Sequence, residues 1–322
     1  MISAAIVGLG RWGQTLVGAV QGNSDRLRFA TAVSRDPARV REFATQHRLQ
    51  VVDSFAAALA NPAIDAIALA TPHSQHADQV VTAAAAGKAV FCEKPLALTR
   101  ADAERAAAAC SGAGVVLGIG TDKRFFPALA EIARLVDSGE LGPLLHVEAH
   151  FSNEVAAGFA AWRDTLDETP AGGMTGTGIH MLDALVRLAG PVRKIHAQML
   201  SQKPPPDPHD SVVVLIEFAS GVSGTLAAVR STPAFLRVHA FGRSGSAEAI
   251  SRNEMVVRHS GAARELRTFA NIDTVRVNLE AFADAVAGRA PYPISVGEIV
   301  NVTAAFVAIA EAIRGGGGTR LV

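Results

Sequence analysis

The first third of the chain alternates short apolar runs with longer stretches of helical period. Ala4–Val7, Phe29–Val33, Ala66–Ala70, Ala89–Cys92 and Val115–Ile119 are nearly continuous apolar runs of strand length. Pro37–His47, His76–Ala86 and Ala101–Ser111 fill intervals between them as helices. Strands without a polar face must be covered on both sides, so this rhythm predicts a parallel, doubly wound sheet. Asp36 before Pro37 predicts a helix start, with the acid as cap and the proline in the first turn. Beyond about residue 122 the rhythm changes. One helix, Pro127–Ser138, precedes runs of period two: Leu145–Phe151, Lys194–Gln202, Ser211–Phe218, Ser223–Val229, Leu236–Phe241, Met255–His259 and Glu265–Ala270. Turn pairs such as Ser220–Gly221 separate several of them, which predicts a largely antiparallel sheet. Helices over Val275–Ala287 and Val296–Arg314 and a glycine-rich tail, Gly315–Gly318, close the chain, and Lys203–Pro208 reads as a surface loop. The expectation is two α/β domains, 1–122 and 123–322.

Composition narrows the classes. The 322 residues, 49% of them apolar, can bury more than one core. Thirty basic and thirty acidic side chains balance to zero with no basic block, which argues against a nucleic-acid partner. No uninterrupted apolar run reaches membrane-spanning length, so no membrane partner is expected. Cys92 and Cys110 are the only cysteines, too few for a disulfide framework. With no signal-like N-terminus, the expected location is the cytoplasm.

Chemistry enters at residues 8–13, GLGRWG, directly after the first apolar run. Gly8, Gly10 and Gly13 match G-x-G-x-x-G, and the match carries weight because it lies between a strand and a helix. Gly8 permits the tight turn, Gly10 lets backbone approach a pyrophosphate, and Gly13 lets helix and strand pack closely. Arg11 and Trp12 sit inside this turn, where the helix N-terminus favours phosphate. Further on, VFCEKPLALT places Glu93, Lys94 and Pro95 at the carboxyl end of a strand. A lysine there can stabilise a developing alkoxide, and the competing reading is a solvated loop lysine. In AGGMTGTGIHMLD, His180 follows a glycine-rich loop and shares a helical face with Asp183. Histidine exchanges a proton near neutral pH, and the competing reading is a helix-start histidine satisfied by backbone.

Together GLGRWG, TPHSQHAD at 71–78, EKP at 93–95, the Trp162–Arg163 pair and the glycine–histidine stretch resemble the Gfo/Idh/MocA oxidoreductases. The resemblance implies a Rossmann domain followed by an α/β domain with a large, open, mostly antiparallel sheet. It implies hydride transfer between a nicotinamide cofactor and a hydroxyl or carbonyl carbon of a sugar, polyol or related cyclic substrate. Lys94 and His180 match the catalytic lysine and histidine. Thr71, Pro72, His73, His76, Glu93 and Lys94 fall at the cofactor, and Lys94, Arg163, His180 and Asp183 at the substrate. A homodimer or homotetramer through the second domain's sheet is implied as well. One departure stands out: Gly176 occupies the position, four before the histidine, where many members carry aspartate. His73 and His76 have no third ligand at a fixed spacing, so no metal is expected.

The region some 20 residues past the glycine turn selects the cofactor. It reads Ala32-Val33-Ser34-Arg35-Asp36, with Arg39 one helical turn on. Ser34 and Arg35 suit a 2′-phosphate, and Asp36 reads better as a helix cap. The expectation is NADP(H), with NAD(H) as the alternative. Two other functions stay open at this point: a glycosidase-like enzyme that uses tightly held NAD internally, and a cofactor-sensing regulator.

Overall fold

A computed structural model describes residues 1–153, 165–201, 210–230 and 232–322. Met1–Thr121 holds strands β1 (Ile2–Val7), β2 (Leu27–Val33), β3 (Gln50–Val52), β4 (Ala66–Leu69), β5 (Ala89–Cys92) and β6 (Leu117–Ile119). Between them run α1 (Arg11–Val20), α2 (Pro37–Gln46), α3 (Phe55–Ala60), α4 (His76–Ala85) and α5 (Arg100–Ala113). All strands are parallel, in the order β3-β2-β1-β4-β5-β6. The order reverses between β1 and β4, the switch point at which α/β sheets hold ligands beyond their strand ends. β3 and α3 are unanticipated. The strand has only three residues, none fully buried, and its apolar signal is correspondingly weak.

The next stretch, Asp122–Ile272, opens with a 3₁₀ turn over Asp122–Phe125 and α6 (Pro127–Asp137). After β7 (Leu144–Asn153), a π-helical turn at Met174–Gly178 leads into α7 (Ile179–Ala189). Then come β8 (Val192–Leu200), β9 (Ser211–Phe218), β10 (Ser223–Arg230), β11 (Phe235–Gly242), β12 (Gly245–Ala249), β13 (Glu254–His259) and β14 (Glu265–Thr268). Val147, Ala149, Leu226, Ala228, Val238 and Ala240 are buried on the sheet face against which α7 packs. On the other face Leu200, Val213, Leu215 and Phe235 are exposed.

The chain then returns to the first unit. Asp273–Val300, with α8 (Thr274–Val286), joins Met1–Thr121, so the contiguous division 1–122/123–322 needs correction. The reason is packing. Leu279, Phe282 and Ala283 of α8 are buried in the core of the parallel sheet, where Phe282 meets Phe91 edge to face at 5.6 Å. Asn278 donates to Ile119 O at 2.9 Å and the Tyr292 hydroxyl donates to Asn278 Oδ1 at 2.7 Å, tying this segment to the end of β6.

α9 (Val296–Arg314) follows, with mean hydropathy 1.7 over an 18-residue window. It is long and apolar enough to cross a bilayer, yet Ala305, Phe306, Ile309 and Ala312 are fully buried within the protein. The glycine-rich tail does not simply end the chain. Gly316, Gly317 and Gly318 all take positive φ and turn the backbone into β15 (Gly318–Leu321), which pairs antiparallel with β8. The second sheet thus has nine strands, β14-β13-β12-β11-β7-β10-β9-β8-β15, antiparallel except where β10 runs parallel to β7.

Candidate active site

In the first unit the glycine turn is built as its spacing requires. Gly8 lies at φ +92°, and a Cβ there would stand 2.6 Å from Ala70 O. At Gly13 a Cβ would stand 2.0 Å from Gly8 O, so helix and turn pack backbone against backbone. Around Gly10 the space is open, with no atom within 4 Å of a Cβ placed there. No side chain caps α1 and no acid lies in its first turn. Its first backbone bond runs from Gln14 N–H to Gly10 O at 2.9 Å, so earlier N–H groups, Trp12 and Gly13 among them, project from the helix end. An uncapped helix end beside open space fits a dinucleotide pyrophosphate.

The adjacent strand ends carry the other expected residues. Ala70 N–H donates to Val7 O at 2.8 Å and Glu93 N–H to Leu69 O at 2.9 Å, so the ends of β1, β4 and β5 lie side by side. Thr71, Pro72 and His73 follow β4, and Glu93 and Lys94 follow β5. Lys94 is half-buried and its peptide bond to Pro95 is cis. The Glu93 carboxylate turns inward over Gly120, and its Oε2 accepts from Lys94 N–H at 3.4 Å. Burial, aided by Glu93, pushes the neighbouring Cys92 thiol well up, which leaves it a poor nucleophile.

His76, expected at the cofactor, opens α4. It is fully buried, with Nδ1 2.8 Å from Pro95 O and Nε2 3.0 Å from Thr71 O. Its ring braces the two strand-end loops that follow β4 and β5. His73 is buried beside it, ring centroids 5.7 Å apart.

At the end of β2 the Asp36 carboxylate accepts from Arg39 N–H at 3.2 Å, capping α2 as expected. The Ser34 hydroxyl donates to Asp36 O at 3.0 Å. Arg35 is exposed and forms no hydrogen bond or ion pair with any described residue.

In the second unit His180 sits in the first turn of α7, 4% exposed. The glycine loop before it is anchored by Asp210, which accepts from Gly173 N–H at 3.0 Å and lies 3.6 Å from Arg230. Gly172, at φ +51°, passes so close that a Cβ would stand 2.2 Å from the same carboxylate. Asp183, expected at the substrate, is buried, and both carboxylate oxygens accept from Arg124, at 3.0 and 2.6 Å. Held bidentate, it locks the 122–125 turn to α7. That lock brings Asp122 Oδ1 to 3.9 Å from His180 Nδ1. Trp162 and Arg163 lie outside the described residues.

Two family models match in succession: "Oxidoreductase family, NAD-binding Rossmann fold" over residues 2–121, and "GFO/IDH/MocA C-terminal domain" over residues 129–248. The chain belongs to the GFO/IDH/MocA oxidoreductase family. It is an NAD(P)-dependent oxidoreductase. It is 25% identical over 262 residues to trans-1,2-dihydrobenzene-1,2-diol dehydrogenase of Bos taurus, covering 77% of each chain. To scyllo-inositol 2-dehydrogenase (NAD(+)) of Bacillus subtilis it is 31% identical over 196 residues, 58% of this chain and 56% of that one. The crystal structure of aldose-aldose oxidoreductase from Caulobacter crescentus superposes with a TM-score of 0.87 at 25% identity, covering 100% of this oxidoreductase and 99% of that chain.

Sequence reasoning missed Asp122, Arg124 and Asp210. Each acts through a partner remote along the chain, and an isolated acid or arginine after a short strand carries no local signal.

Proposed function

We propose that this oxidoreductase moves a hydride between NADP(H) and a CH–OH or carbonyl carbon of a sugar, polyol or related cyclic substrate. The observation that carries the reading is the row of strand ends in the first unit. The open Gly8–Gly13 turn, Thr71–His73 and Lys94 lie on three neighbouring strands at the switch point. When bound, the nicotinamide supplies the hydride acceptor or donor. Gly10 and the uncapped end of α1 hold the pyrophosphate, with Arg11, Trp12 and Gly13 in the same turn. Thr71, Pro72 and His73 border the nicotinamide, and Glu93 fixes the backbone of Lys94. Ser34 and the unengaged Arg35 receive the 2′-phosphate, since Asp36 is committed to its helix.

Lys94 polarises the substrate oxygen and His180 exchanges the proton with it. A cyclic polyhydroxy substrate accords with the names of the relatives. The exposed apolar residues on the second sheet support a homo-oligomer formed through that face. Two buried free thiols accord with a reducing cytoplasm.

The deciding experiment screens both cofactors against sugars, inositols and dihydrodiols, following reduced nicotinamide by absorbance. With a substrate found, Lys94→Ala and His180→Ala should keep NADPH affinity and near-normal melting. Each should lose about 10²–10⁴-fold in kcat, as removal of an acid–base group does. Near-full turnover in His180→Ala would overturn its assignment.

A further inference from the structure

His180 does not stand alone in the second unit. The 122–125 turn is pinned to α7 by the buried, bidentate Arg124–Asp183 pair. Asp183 and His180 are three residues apart on one helix and therefore share a face. The arginine that grips one of them consequently delivers the start of its own turn to the other. Asp122 is buried, and its Oδ1 lies 3.9 Å from His180 Nδ1.

We propose that Asp122 is the positioning residue for His180: acting by charge across 3.9 Å, its carboxylate favours the Nδ1–H form of the neutral ring and leaves Nε2 to exchange a proton with the substrate oxygen. This rests on the proton-transfer role assigned to His180 above. In the oxidative direction His180 Nε2 takes the O–H proton as the C=O bond forms, and a bound nicotinamide would accept the C–H electron pair as hydride. The Asp122 carboxylate stabilises the imidazolium it faces, as an opposite charge at this range does.

Among the described residues, the other charged groups around His180 do not offer the same service. Lys123 Nζ lies 3.4 Å from Asp122 Oδ1 and 5.6 Å from the Phe151 ring centroid, so it tempers the carboxylate's field. Arg124 and Asp183 neutralise each other. Toward α7 the sheet presents Val147, Ala149, Leu226, Ala228, Val238 and Ala240, and Arg230 is paired with Asp210. At the far end of α7, Arg187 is paired with Asp137. The π-helical turn before His180, Met174–Gly178, carries no charge. A buried carboxylate acts more strongly than one in water.

The test is histidine NMR on the full chain, which needs neither cofactor nor substrate. Proton–nitrogen correlation of ring-labelled protein reports the tautomer and the titration of His180, assigned by its loss in His180→Gln. The expected result is an Nδ1–H tautomer in the neutral ring. In Asp122→Asn the His180 titration should move down by about 1 unit, in line with loss of a nearby opposite charge. The acid limb of the kcat/KM profile should move with it, and Asp122→Glu should restore both. An Nε2–H tautomer in the unaltered protein overturns the proposal, and this reading stands even if Asp122→Asn fails to fold. An unmoved titration in a folded Asp122→Asn overturns it as well. Should His180→Ala keep full turnover while the NMR results hold, the proton-transfer reading fails and the Asp122–His180 coupling survives.

Discussion

Single residues set the chemistry through what surrounds them. His180 and Asp122 come from separate stretches of chain and meet only because Arg124 grips Asp183. At Gly176, where family resemblance implies an acid, a Cβ would meet no described atom within 4 Å. His239 shows the opposite use of a histidine. It is buried, stacked on Phe241 at 3.8 Å, and its Nδ1 accepts from Arg237 at 3.2 Å. Burial first, with Arg237 and Arg258 adding to it and Glu248 and Glu148 opposing, brings its pKa down to about 4. The unfolded chain therefore binds a proton between about pH 6.5 and 4 that the folded chain refuses. The stabilisation is complete above that window and is lost as pH falls through it, by up to about 3 kcal/mol for an isolated group. Thermal melting from pH 7 to 4 should fall less steeply for His239→Gln than for the unaltered protein. Equal slopes would show that other groups govern acid lability.

At the level of elements, the ends of strands and helices do the positioning. α1 is left uncapped beneath the glycine turn, whereas α2 is capped by Asp36. This contrast bears on cofactor choice. The Asp36 carboxylate, whose Oδ1 accepts from Arg39 N–H, serves its helix. Asp36→Ala should therefore cost about 1 kcal/mol of stability, the usual value of a cap, and leave the NADPH/NADH affinity ratio nearly unchanged. Arg35→Ala should instead weaken NADPH by about 1–3 kcal/mol and NADH little, as loss of a charge-assisted contact does. Fluorescence titration of both variants with both cofactors checks this. A large change of ratio in Asp36→Ala, with none in Arg35→Ala, would reverse the assignment.

For the molecule as a whole, the second sheet raises the question of its open face. Leu200, Val213, Leu215 and Phe235 are exposed there beside the ion pairs of Arg237 with Glu148 and Glu248. Light scattering at micromolar concentration should give a multiple of the 33.4 kDa chain mass, and Leu215→Glu should lower it toward one chain. A single-chain mass for the unaltered protein would refute the oligomer. Much of this architecture is legible in the sequence because its causes are local. Apolar period distinguishes the parallel from the antiparallel half. Gly8 and Gly13 announce a turn that only glycine can make, and Asp36–Pro37 announces a helix start. The position of Lys94 past a strand and of His180 past a glycine loop follows from the same local grammar. Tertiary structure alone decided the rest. Asp273–Val300 rejoins the first unit because Leu279 and Phe282 find their burial there, and the Gly316–Gly318 turn gives the tail a strand partner in β8. His76 and Asp183 become braces, and Asp122 and Asp210 become anchors, because burial obliges each polar group to find a partner wherever the fold supplies one, and no sequence spacing encodes that partner.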